Sequence, residues 1–177
     1  STLHSGLDTF GLQAMLLSRE NELLDPRHAA VCEAGGHMDH PLADYFIATS
    51  HNSYLTGDQF RSNSDVRMYE VQLLMGCRCL EIDCWDGADG EPTVYHGMTF
   101  TSKIKFRDVI ISIERFAFVS SAYPVILSLE MHCSLPQQEK IAAILREVLG
   151  ERLHLPRPPA AAADAAAESP HALRHKV

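Results

Sequence analysis

From Pro41 onward the apolar residues fall into two kinds of pattern, short runs of four or five and longer stretches that repeat every three to four positions. Short apolar or β-branched runs bounded by turn-forming residues read as strands, and the longer periodic stretches as helices. Four strands are predicted in this way: Tyr45-Phe-Ile-Ala-Thr49, Leu80 to Asp83, Thr93-Val-Tyr-His96 and Val125-Ile-Leu-Ser-Leu129. Ser64-Asp65 is placed to cap a helix carrying Val66, Tyr69, Val71 and Leu74, which Gly76 closes. Phe106 to Phe118 predicts a second helix, with Val109, Ile110, Ile113 and Phe116 on one face. Ser134 and Gln137 have the spacing of a capping box, Pro136 suits a first turn, and Ile141, Ile144, Leu145, Val148 and Leu149 form the stripe that Gly150 ends.

The flanks differ. Residues 1–36 read as a helical lead-in with Leu7, Phe10, Leu12, Met15 and Leu16 as its apolar stripe, and they contain no Asp-x-Asp-x-Asp-Gly calcium loop. Residues 37–154 hold the alternating pattern. Residues 155–170 are mostly Pro and Ala, the composition of a linker or insertion, and 171–177 read as the start of an element left unfinished.

Strands alternating with helices predict a parallel sheet. Polar clusters close each predicted strand: Ser50-His51-Asn52-Ser53, Glu81-Ile-Asp83, Tyr95-His96-Gly97 and Glu130-Met-His132. Functional groups at strand ends, with no glycine-rich loop, favour a barrel over an open doubly wound sheet. Four strands are half of the eight a closed barrel requires. The predicted class is α/β, the N-terminal half of a (β/α)8 TIM-type barrel preceded by a short helical segment.

Glu81 and Asp83 carry the chemistry. Two positions apart on a strand, they project from one face, and like charges that close on a buried strand are costly unless a cation or a reaction uses them. With Asn52 and Glu130 they offer only oxygen donors, a set suited to a hard divalent cation such as calcium and not to zinc. That leaves His51 and His96 for proton transfer and charge stabilisation near neutral pH. A divalent cation with two histidines at a barrel mouth suits cleavage of a phosphodiester. His132 and His154 read as structural residues, and Asp44, Asp58 and Asp86 as caps or turns.

Composition narrows this reading. The net charge of −8 argues against a general nucleic-acid partner, which would demand excess Lys and Arg. It leaves open a membrane surface docked through a local patch. No run approaches the roughly 18 apolar residues that span a bilayer, and the N-terminus lacks a basic-then-apolar leader. Five cysteines, with Cys77, Cys79, Cys84 and Cys133 in or beside strand-like runs, fit no zinc spacing and predict reduced thiols in a cytosolic protein.

The stretch from about Pro41 to Leu153 resembles the X region of eukaryotic phosphoinositide-specific phospholipase C. The matching segments are Tyr45-Phe-Ile-Ala, Ser50-His-Asn-Ser-Tyr-Leu-Thr-Gly-Asp-Gln59, Gly76-Cys-Arg-Cys-Leu-Glu-Ile-Asp-Cys-Trp-Asp-Gly87, Tyr95-His-Gly97, Phe100-Thr-Ser-Lys-Ile104 and Tyr123-Pro-Val-Ile-Leu-Ser-Leu-Glu130. Leu16-Leu-Ser-Arg-Glu-Asn21 is similar to the end of that family's EF-hand region. The resemblance implies calcium-dependent hydrolysis of phosphatidylinositol 4,5-bisphosphate to diacylglycerol and inositol trisphosphate. By position, Asn52, Glu81, Asp83 and Glu130 would hold calcium, and Glu81 would also help the inositol 2-hydroxyl attack. His51 would stabilise the pentacoordinate phosphorus. His96 would act as acid for the departing diacylglycerol and as base for the cyclic intermediate. The implied setting is cytoplasmic, peripheral on the inner face of the plasma membrane, with an upstream activator that the residues do not identify.

Two departures are minor: Ser53 and Met131 stand where the family commonly has Thr and Asn. A larger one is that the family's next strand, which bears a lysine, and the Y region that completes the barrel and contacts the headgroup have no counterpart after Val177. Lys103, Lys105 and Arg107 offer either a small basic loop at the mouth or a solvated face. Other readings are a glycerophosphodiester phosphodiesterase, whose usual His-Arg start is His51-Asn52 here, and a silent phosphoinositide-binding scaffold. Half a barrel leaves unpaired strand edges and an uncovered interior. The isolated 177-residue chain is therefore expected to be poorly folded or inactive; a cooperative melt with robust turnover would contradict this.

Overall fold

The computed structural model describes residues 8–18, 37–155 and 168–177. Most of the expected lead-in (1–7 and 19–36), most of the Pro/Ala segment (156–167) and Cys32 lie outside the described residues. Contacts divide the chain into Ser1–Met38 and Asp39–Val177. Among the described residues the first unit holds the helix α1 (Thr9–Leu16), whose N-terminus is closed by Asp8 accepting a hydrogen bond from the Gly11 N–H at 2.7 Å.

The second unit holds β1 (Thr49–Ser50), α2 (Arg67–Leu74), β2 (Cys79–Trp85), β3 (Thr93–Val94), β4 (Ile104–Lys105), α3 (Phe106–Phe116), β5 (Ile126–His132) and α4 (Leu135–Leu149). β2 is the centre of the sheet. Along one edge it pairs with β5 in parallel over seven residues, from Cys79 opposite Ile126 to Trp85 opposite His132. Its other edge is shared, with β1 running parallel beside Cys79 and Leu80 and β3 antiparallel beside Cys84 and Trp85. β4 then pairs antiparallel with β3.

The alternation of β2 decides where the core sits. Leu80, Ile82 and Cys84 are fully buried and pack with Leu73 of α2, with Val109, Ile110 and Ile113 of α3, and with Ile141 and Ile144 of α4. The opposite face carries Glu81, Asp83 and Trp85 from β2 and Ser128, Glu130 and His132 from β5. One face is thus covered by helices and the other is polar, which is half of a (β/α)8 barrel with its concave side open.

Several local expectations are corrected. The sheet is mixed, because residue alternation reports which face a side chain takes and says nothing of strand direction. β4 was not expected at all. Tyr45–Ala48 is not strand, and β1 begins only at Thr49. β2 and β5 run past their predicted ends at Asp83 and Leu129, since their mutual pairing continues to Trp85 and His132. The carboxylates therefore lie inside strands, not at their ends. In α2, Tyr69 and Leu73 face the core while Val71 and Leu74 are substantially exposed, so the buried face is turned from the predicted one. Gly76 does close that helix, in the left-handed region at φ +96°.

The capping box at Ser134 does not form. Ser134 gives both its N–H and its hydroxyl to Asp86 Oδ1, at 3.0 and 3.1 Å, and the Gln137 amide pairs with the backbone of Gly87. The loop after β2 has taken both box residues. Residues 168–170, expected within the linker, pack with 171–177 beside the start of β5: Val125 N–H donates to Lys176 O, Val177 N–H to Arg152 O, and Leu173 is buried.

Replacing Ile82, wholly inaccessible between sheet and helices, by alanine is expected to cost about 2–5 kcal/mol of stability. Val71→Ala on the exposed side of α2 is expected to stay within about 0.5 kcal/mol. Equal losses in thermal or denaturant unfolding would contradict this placement of the core.

Candidate active site on the concave face

Asn52 follows β1 directly and holds a left-handed backbone at φ +48°, a conformation that a non-glycine residue keeps only when its surroundings fix it. Here they do. The Asn52 N–H donates to Glu81 Oε2 at 2.5 Å, the Ser53 hydroxyl donates to Ser50 O at 3.2 Å, and the Glu81 N–H donates to Ser53 Oγ at 2.9 Å. Ser53 is fully buried, and a threonine would present the same hydroxyl. His51 sits at the outer rim with Nε2 3.8 Å from Glu81 Oε2.

Asp83 lies directly across the strand pair from Glu130, and Glu81 across from Ser128, so the three carboxylates share the concave face. Asp83 is only 5% exposed. Burial raises its carboxyl above the ordinary aspartate range, and the charges of Glu130 and Glu81 push the same way, against the Tyr54 hydrogen bond and nearby His96. Tyr54 Oη approaches Asp83 Oδ2 at 2.6 Å, and burial followed by this carboxylate holds the phenol firmly neutral.

His96 lies two residues beyond β3. Its N–H donates to Thr101 Oγ1 at 3.2 Å, and the Thr99 hydroxyl donates to its carbonyl at 2.5 Å. The following turn is braced by Trp85: a Cβ on Gly97 would meet the indole at 2.0 Å. Trp85 also stacks on His132, ring centroids 4.1 Å apart, and His132 Nε2 is 3.5 Å from Glu130 Oε2. His132, expected to be structural, thus touches a candidate ligand. Tyr54, Ser53, Thr99 and Thr101 were not anticipated; the rule that a buried hydroxyl needs a partner could have drawn attention to Tyr54.

All six candidates, His51, Asn52, Glu81, Asp83, His96 and Glu130, are gathered at one end of the concave face. They do not close on one point: among the described residues no group of three His, Cys, Asp or Glu side chains is placed to hold a metal ion. Each carboxylate turns to a separate partner, Glu81 to the Asn52 N–H, Asp83 to Tyr54 and Glu130 to His132. Mutual repulsion favours this spread. The set nevertheless fits a hard cation. Its donors are oxygens, and Asp83 Oδ1 is buried with no hydrogen-bond partner.

Of the basic loop, Arg107 is taken by Glu147 of α4 at 2.8 and 2.9 Å, while Lys103 lies over the Tyr95 ring at 4.4 Å. The four described cysteines are free thiols, Cys84 and Cys133 buried, Cys77 and Cys79 partly so. Burial raises both buried thiols, Cys133 to about 11.

Residues 38–177 match the family described as phosphatidylinositol-specific phospholipase C, X domain. The chain is 51% identical over 162 residues to 1-phosphatidylinositol 4,5-bisphosphate phosphodiesterase gamma-2 of Rattus norvegicus, covering 92% of this chain and 12% of that protein. To the zeta-1 enzyme of Mus musculus it is 58% identical over 116 residues, covering 66% and 18%. The crystal structure of L. pealei PLC21 superposes with a TM-score of 0.72 at 43% identity, covering 94% of this chain and 21% of that one. The chain therefore spans under a fifth of the length of these curated relatives.

Because the Asp83 carboxylate is disfavoured by folding, its contribution works against stability above the ordinary aspartate range, near pH 4, and vanishes where it is protonated in both states. In chelator at pH 7.5, Asp83→Asn should melt above the wild type, and the gain should shrink as pH falls towards 4. A lower melting temperature for the variant at pH 7.5 would contradict this account of the site.

Proposed function

The chain belongs to the phosphatidylinositol-specific phospholipase C X-domain family, and on that premise we propose that it is the metal-binding half of a calcium-dependent phosphoinositide phospholipase C. The substrate is phosphatidylinositol 4,5-bisphosphate, cleaved to diacylglycerol and inositol 1,4,5-trisphosphate through a cyclic inositol phosphate. The observation that carries the reading is the presence of His51, Asn52, Glu81, Asp83, His96 and Glu130 together on one open face. The second half-barrel, the Y region, supplies the remaining headgroup contacts, and an upstream activator controls the enzyme.

Asn52, Glu81, Asp83 and Glu130 would hold the calcium. When bound, the ion supplies positive charge that lowers the pKa of the attacking hydroxyl and offsets phosphate charge. Glu81 accepts the proton of the inositol 2-hydroxyl as that oxygen attacks phosphorus. His51, exposed at the rim beside Glu81, donates a hydrogen bond to the phosphoryl oxygen as charge builds there. His96, fixed by Thr99 and Thr101, gives a proton to the departing diacylglycerol oxygen, and then takes one from the water that opens the cyclic phosphodiester.

Substrate in a bilayer requires the site to meet the membrane. Phe60, Met98 and Phe100 are 70%, 99% and 86% exposed, and the Phe100 N–H donates to Phe60 O at 2.9 Å, which ties their two loops together. An apolar group of this kind beside His96 supports peripheral docking on a membrane surface; the proposed setting is the inner face of the plasma membrane, reached from the cytoplasm. No described helix is long and apolar enough to cross a membrane.

In the full-length protein, His51→Ala and His96→Ala should each lower inositol phosphate release from phosphatidylinositol 4,5-bisphosphate vesicles by about 10²–10⁴-fold. Chelator should stop the wild type and added calcium restore it. Undiminished release by both variants would overturn the assignment, and turnover confined to water-soluble glycerophosphodiesters would favour the related phosphodiesterase chemistry.

A further inference from the structure

One buried hydroxyl lies against two of the proposed calcium ligands. Tyr54 is wholly inaccessible, with Oη 2.6 Å from Asp83 Oδ2 and 3.1 Å from the nearer end of the Asn52 side-chain amide. A phenol carries one proton and can donate it to only one acceptor at a time. The charged carboxylate at the shorter distance takes that proton. What Tyr54 offers Asn52 is then a lone pair.

A lone pair matches only one end of the amide. With the Asn52 oxygen towards Tyr54, two oxygens meet with no proton between them, and the amide nitrogen is buried without an acceptor. Turning the amide by 180° resolves both faults, because the two ends are close to isosteric. The nitrogen donates to Tyr54 Oη, and the oxygen occupies the buried position that lacks a partner. Asp83 Oδ1 is likewise buried and unpartnered. The result is a pair of desolvated oxygens, on two residues joined through one hydroxyl, with no donor to satisfy either.

We propose that Tyr54 is a positioning residue for the cation: its hydroxyl donates to Asp83 Oδ2 and accepts from Asn52 Nδ2, leaving Asp83 Oδ1 and Asn52 Oδ1 presented as ligands. This rests on the calcium reading above. The remaining freedom of Asn52 is removed by its backbone, held at φ +48° by the N–H bond to Glu81. A phenylalanine in place of Tyr54 would fill the same volume yet leave the amide free to rotate and Asp83 without its anchor.

The test is calorimetric titration of the full-length protein with calcium, as wild type, Tyr54→Phe, Asn52→Ala and the double variant, with melting in chelator measured alongside. Tyr54→Phe should weaken calcium binding by about 10–100-fold, the range for loss of a partner that orients a metal ligand. Its chelator melt should stay within a few degrees of the wild type, and half-maximal turnover should need correspondingly more calcium while turnover at saturating calcium falls far less. In the Asn52→Ala background the same substitution should cost less affinity. Unchanged affinity in Tyr54→Phe, beside weakened binding in Asn52→Ala, overturns this inference and leaves the calcium reading standing; full additivity in the double variant overturns the orientation of Asn52. No calcium binding by the wild type overturns both. Neutron diffraction of the calcium-bound wild type reads the same point without substitution: deuterium on Asn52 Nδ2 directed at Tyr54 Oη is expected, and Asn52 Oδ1 facing that atom contradicts it.

Discussion

Everything in the second unit depends on the seven-residue parallel pairing of β2 with β5. Its register puts Asp83 opposite Glu130 on one face and Ile82 opposite Leu129 on the other. A slip of one residue would send the carboxylates into the helix layer and the aliphatic side chains into the open face. The apolar face of the pair, fixed by Leu73, Val109, Ile110, Ile113, Ile141 and Ile144, is therefore what makes the polar face possible. Burial of that layer stabilises the register; the register in turn holds charges together that would separate in a free chain.

The polar face is under tension. Asp83 is desolvated beside two other carboxylates, Asn52 holds a left-handed backbone, and polar atoms of Asn52, Asp83 and His96 are buried without partners. Such features are costly, and a rigid sheet keeps them in place at sites where a ligand later relieves them. The surrounding hydroxyls reduce the cost locally. Ser53 links Ser50 to Glu81, Tyr54 links Asn52 to Asp83, and Thr99 and Thr101 hold the backbone of His96. Trp85 then joins the His96 turn to the end of β5 through Gly97 and His132.

Much of this was legible in the sequence because a strand's alternation is a local property. Leu80, Ile82 and Cys84 against Glu81 and Asp83 state both faces of β2 before any partner is known. The helices α3 and α4 follow from their stripes for the same reason. What was not legible depends on tertiary partners. Nothing in Thr93-Val94 reveals that it runs antiparallel to β2, and two residues at Ile104-Lys105 are too few to show a period. The Ser134–Gln137 box was broken by Asp86 and Gly87, which arrive from another part of the chain. Tyr54 looked like one more aromatic after a motif, and only its hydrogen-bond geometry separates it from ordinary core.

The most direct test of the central claim is anomalous diffraction from crystals of the full-length protein grown with calcium. A single strong peak bounded by oxygens of Asn52, Glu81, Asp83 and Glu130, with the Glu130 carboxylate drawn away from His132, is the predicted result. A calcium-saturated crystal with no peak on this face, and with Asp83 Oδ1 still unpartnered, would contradict the account.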